Sequence, residues 1–110
     1  MILYHRDLTQ QKWNCFLTYE QLANIGSDVL RSIKWKNAGE NESSRLAFER
    51  ALELIDLTVE DPKNIKKLGE ILRVRECLVD YIAGQNSYKS TDESWQNYFY
   101  AFNYAARRNT

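Results

Sequence analysis

Apolar residues recur along this chain at three- and four-residue intervals, and most of the recurrences are bracketed by helix start and stop signals. Leu22, Ile25, Val29 and Ile33 share one helical face. Ahead of them, Thr18-Tyr19-Glu20-Gln21 has capping-box spacing. Behind them, Asn37-Ala38-Gly39 supplies the stop, with Gly39 suited to the left-handed position just past a helix end. Gly26 falls inside this helix and beside its stripe, at a cost of about 1 kcal/mol relative to alanine. Close approach of a neighbouring helix is the expected reason.

A second helix follows the polar turn GENESS, with Ser43 or Ser44 as its cap. Ala47, Phe48, Ala51, Leu52, Leu54, Ile55 and Val59 give it an apolar surface wide enough to meet more than one neighbour. Asp61-Pro62 ends it and starts the next, with Asp61 as cap and Pro62 in the first position. The spacing predicts one continuous helix from about Pro62 to Ala83, closed by Gly84. Its main stripe is Ile65, Leu68, Leu72, Val79 and Ile82, with Ile71 and Leu78 beside it. Ser90-Thr91-Asp92-Glu93 fits another capping box and opens a last helix. That helix carries Trp95, Tyr98, Phe99, Phe102 and Ala106 on one face, and Tyr100 and Tyr104 on another. The N-terminal residues read as an extended arm and then a short helix around Thr9–Leu17.

These elements predict an all-α fold: one domain over residues 1–110, an antiparallel up-and-down four-helix bundle with an N-terminal arm or short extra helix. Composition agrees, with one proline and four glycines in 110 residues. Lys plus Arg and Asp plus Glu number 15 each, so no broad charge draws the chain to nucleic acid or to an anionic membrane. No apolar run reaches the length of a membrane span, and the first residues lack a secretory apolar core. Cys15 and Cys77 have no motif spacing, which fits reduced thiols and a cytoplasmic location. There is no glycine-rich phosphate loop, metal-spaced Cys/His set or nucleophile elbow. The sequence therefore implies no cofactor and no metal.

Candidate chemistry concentrates in ILRVRECLVDYI, residues 71–82. Arg75 falls in the apolar stripe, seven residues after Leu68 and four before Val79. A guanidinium there must find a carboxylate or reach solvent along its stem. Glu76 and Asp80 are one turn apart and share a face, as metal-binding or acid–base carboxylates would, and as any solvated helical face would too. The run Arg75-Glu76-Cys77-Leu78-Val79-Asp80-Tyr81 resembles the signature of HEPN domains. These are small helical bundles of prokaryotic toxin–antitoxin and nucleotidyltransferase-linked systems, in whose active members an arginine and a histidine form a metal-independent ribonuclease site, often at a dimer interface. The resemblance implies a ribonuclease role for Arg75, with Glu76 at the polar position. Asp80 stands where the family has histidine, and aspartate does not supply imidazole chemistry at neutral pH. The implied member is non-catalytic.

Two basic clusters add little. Lys63, Lys66 and Lys67 in the first turns of the third long helix would suit a phosphate at its N-terminus, but Glu60 and Asp61 oppose this. Arg31 and Trp35 are one turn apart and spaced to stack, beside Lys34 and Lys36. The aromatic content is 13%, and SWQNYFYAFNYAARR carries much of it. Aromatics on two faces of one helix point to an interface drawing on Trp95, Tyr98, Tyr100 and Tyr104; one wide buried face is the alternative. The expected function is protein–protein interaction, as a homodimer or with another protein partner. Alternatives are an RNA-processing enzyme using Arg75, Glu76, Asp80 and Tyr81, and a partner subunit of a nucleotidyltransferase.

Overall fold

The structure is a computed structural model that describes residues 4–108. It is all-helical, with five α-helices that pack against one another: α1 (Gln10–Asn14), α2 (Thr18–Asn37), α3 (Asn41–Val59), α4 (Leu68–Ala83) and α5 (Asp92–Arg108). A 3-10 segment, Pro62–Lys67, links α3 to α4. The first three residues of the expected N-terminal arm lie outside the described residues.

Helix α2 is central, with α3 and α5 both lying on it. Leu22, Ile25, Val29 and Ile33 are buried, as the period predicts. Gly26 makes the contact its position implied: a Cβ there would stand 2.7 Å from two ring carbons of Phe99. Only glycine lets α5 seat its phenylalanine this close to the α2 backbone. Helix α3 uses its wide apolar surface against α2, α4 and α1. Gly39 has φ 79° and ends α2 in the left-handed region.

Three details differ from expectation. The continuous helix from Pro62 is interrupted. Asp61 does accept from the Lys63 amide, 3.2 Å, with Pro62 in the first turn, but the segment stays 3-10 to Lys67. A 3-10 segment turns about 120° per residue, against about 100° for an α-helix. A stripe extrapolated across the junction therefore loses phase. The buried residues of α4 are Ile71, Val74 and Leu78, while Ile65 is 70% and Leu72 46% exposed. The caps also slip by one residue. Glu20 accepts from the Leu17 amide, 2.8 Å, while the Thr18 hydroxyl leaves the cap and donates to Asn64, 2.6 Å. At α5 the reciprocal pair is Thr91 and Ser94, with Thr91 N donating to Ser94 Oγ at 2.9 Å and Ser94 N to Thr91 Oγ1 at 3.0 Å. Helix α3 starts at Asn41, ahead of both serines. Ser44 instead bonds across to Ser32, each hydroxyl donating to the other's carbonyl at 2.8 Å.

Candidate functional site

The residues singled out on α4 divide: Glu76 and Asp80 meet the same loop residue, Tyr88, while Arg75 and Tyr81 turn elsewhere. Arg75 sits on the flank of the buried stripe and donates from Nε to Asp56 Oδ1 on α3, 2.9 Å, with both side chains partly exposed. Such a pair contributes about 0–1 kcal/mol. Asp80 serves the loop after α4, accepting from the Ser87 amide at 2.8 Å and the Tyr88 amide at 3.0 Å. Glu76 accepts from the Tyr88 hydroxyl. Tyr81 turns the other way. Its hydroxyl donates to Asp92 at the start of α5, Lys36 of α2 lies 5.4 Å from its ring centre, and Asn37 donates to the same Asp92 at 2.9 Å. Burial first, and then the Asp92 carboxylate, push the Tyr81 phenol up to about 12. So Tyr81 ties the ends of α2, α4 and α5 together. Cys77 lies between, its thiol pushed up mainly by burial, which leaves little nucleophilic thiolate at neutral pH.

The lysines part company as well. Lys63 reaches Asp61 and the Asn14 carbonyl, and Lys67 lies 6.0 Å from the ring centre of Phe102. Asp61 already occupies the N-terminus where a phosphate would sit. Burial raises the Asp61 carboxyl, but hydrogen bonds from Lys63 and Gln21 outweigh burial and hold it below the usual carboxylate range. Arg31 turns from Trp35 to Asp28, 2.9 Å.

The aromatic residues of α5 divide between two faces. Trp95 is buried and stacks on Phe99 with centroids 6.0 Å apart; Tyr98 meets Phe99 edge-on at 5.0 Å and donates to Glu70 on α4 at 2.8 Å. Burial, followed by the Glu70 hydrogen bond, raises the Tyr98 phenol well above its ordinary value. Both residues are engaged within the chain's own core. Tyr100 and Tyr104 are the other face, 68% and 56% exposed, their rings stacked on each other at 6.4 Å. Glu93, Asn97, Arg107 and Arg108 are exposed around them.

A second cluster, which the sequence did not announce, lies between α2, α3 and the N-terminal residues. His5 donates or accepts at Nδ1 with Glu53 Oε1, 2.9 Å, and its Nε2 stands 3.7 Å from Asp28. Glu53 also accepts the amides of Tyr4 and His5, both at 3.0 Å. Asp28 is only 4% exposed and faces Arg31 and, at 3.6 Å, Arg50. The available signal was a carboxylate placed between Ile25 and Val29 of the apolar stripe, four residues before Ser32, which is buried as well. No group of three potential metal ligands converges among the described residues, and no described helix is long and apolar enough to cross a membrane. No family model, curated protein or solved structure matches the chain.

Proposed function

We propose that this chain is a non-catalytic interaction protein that pairs with a second copy of itself through the outer face of α5. The observation that carries the reading is the stacked pair Tyr100 and Tyr104, both of which leave more than half of their surface exposed. Tyrosine supplies large contact area with few torsions to freeze, which suits it to interfaces. The surrounding charge makes the face self-complementary. Helix α5 exposes Glu93 in its first turn and Arg107 and Arg108 in its last, while Asp92 is held inward by Tyr81 and Asn37. A twofold axis perpendicular to α5 lays the two copies of the helix antiparallel, so Glu93 of each meets the basic end of the other across the paired tyrosines.

On this reading α2 to α5 form an up-and-down four-helix bundle, α1 is the extra short helix, and two free cysteines fit a cytoplasmic setting. The likeness of the α4 segment to HEPN domains is read as kinship to a member without ribonuclease activity. Support comes from Asp80, whose carboxylate is engaged by two loop amides, and from Arg75, which is paired with Asp56. The test is a dilution series of amide NMR spectra. Concentration-dependent shifts confined to Glu93, Asn97, Tyr100, Tyr104 and their neighbours are expected. Spectra that do not change with concentration, or shifts centred on α4, would refute the reading.

A further inference from the structure

The His5–Asp28 cluster opens onto a cavity of about 460 Å³ whose lining includes His5, Trp13, Phe16, Asp28, Arg31 and Arg50. That volume lies in the range of small-molecule sites, about 300–1,000 Å³. A second cavity, of about 370 Å³, continues past His5 and Arg50 on the other side. We propose that this site binds a planar aromatic carboxylate, independently of any pairing through α5.

Three observations converge. First, the two guanidiniums are under-used. Arg31 gives one hydrogen bond, to Asp28. Among the described residues the buried Arg50 Nε has no hydrogen-bond partner, and it stands 3.6 Å from that carboxylate, beyond hydrogen-bonding reach. A buried donor left unmade costs about 1–3 kcal/mol, and a guanidinium holds a carboxylate best through two parallel bonds. Second, the charge lining the cavity does not cancel. Asp28 neutralises one of the two arginines, and Glu53 is turned to His5 and the Tyr4 and His5 amides. The lining itself therefore carries one more guanidinium than carboxylate, which matches a monoanion better than a phosphate dianion. Third, the body of the ligand has its place: Trp13 and Phe16 form an aromatic pair, centroids 5.5 Å apart, in the same lining. A flat apolar ring beside these rings and a carboxylate toward Arg31 and Arg50 use both halves of the cavity.

The experiment is an NMR titration of the whole chain with 1-naphthoate, and with uncharged 1-naphthamide as the comparison. Expected are saturable shifts at the Trp13 indole with the Trp35 and Trp95 indoles unmoved, and binding of naphthamide weaker by about tenfold or more, the loss of a charged hydrogen bond. Arg50→Gln, with its helicity checked by circular dichroism, should weaken naphthoate to a similar extent. Equal binding of the two probes overturns the proposal, as do undiminished binding by a folded Arg50→Gln, absence of saturation at Trp13, and shifts at the other indoles instead. If Arg50→Gln fails to fold, the two probes on the unaltered chain still decide.

Discussion

The two faces of α5 carry the same kind of residue and use it in opposite ways. Inward, Trp95, Tyr98 and Phe99 interlock with one another, and Phe99 rests on the bare backbone of Gly26. Outward, Tyr100 and Tyr104 stack on each other and stay largely exposed. The inner face holds the helix to the fold; the outer face is large apolar area that the fold leaves in water. Aromatic content alone does not separate these roles. Helical phase does, because it sets which rings meet α2 and α4 and which cannot.

Breaking the inner face should cost the most. Phe99→Ala, which empties a fully buried site, is expected to destabilise by about 3–5 kcal/mol in denaturant unfolding. Gly26→Ala approaches the same contact from the other side. Alanine is the better helix former by about 1 kcal/mol. Yet its methyl group would meet Phe99 ring carbons at 2.7 Å and the Phe99 Cβ at 2.9 Å, and Cβ is not a flexible tip that swings away. Net destabilisation of about 1–3 kcal/mol is expected; a variant as stable as the parent would mean that α5 is not seated as described.

Smaller effects sharpen the comparison. Tyr98→Phe removes the hydroxyl that reaches Glu70 and keeps the ring, so a loss of about 0.5–1.5 kcal/mol is expected, against almost none for Tyr100→Phe. The attachment of the α5 start should also depend on pH. The Tyr81 hydroxyl foremost, with Asn37, holds the Asp92 carboxyl below its usual range. A carboxyl lowered by folding stabilises above its unfolded value of about 3.9 and loses that contribution as pH falls through the folded value. The melting temperature should therefore drop below about pH 4, and Asp92→Asn, starting lower, should show a smaller drop over the same interval. An identical drop would remove Asp92 from the account.

Much of the scaffold was legible in the sequence because it is periodic. The stripe of α2, the wide face of α3, the role of Gly26 and the turn at Gly39 follow from local spacing. The errors arose where spacing is not local. Asp61-Pro62 reads as a helix start, yet nothing local shows that the next turn stays 3-10, and the phase of α4 follows from that. Thr18 reads as a cap until Asn64, 46 positions on, takes its hydroxyl. Gln21 bonds with Asp61 and Asn64, and Ser32 with Ser44. With Asp28 and Arg50 these are polar rungs that run in opposite directions along α2 and along α3 with the 3-10 segment that follows it. No single helix displays a rung, because each half becomes visible only once the register is known. The partners of the candidate residues on α4 were hidden for the same reason. Arg75, Glu76 and Asp80 are close in sequence, but Arg75 is drawn to Asp56 on α3 while Glu76 and Asp80 meet Tyr88 of the loop after α4.

Sedimentation equilibrium on the parent chain and on the Tyr100→Ala/Tyr104→Ala double variant is the most direct measurement of self-pairing. Both side chains are largely exposed, so the double variant should unfold within about 0.5 kcal/mol of the parent. The account predicts a monomer–dimer equilibrium for the parent and a monomer for the variant at the same concentrations. A parent that stays monomeric at millimolar concentration, or a variant that dimerises as tightly as the parent, would contradict it.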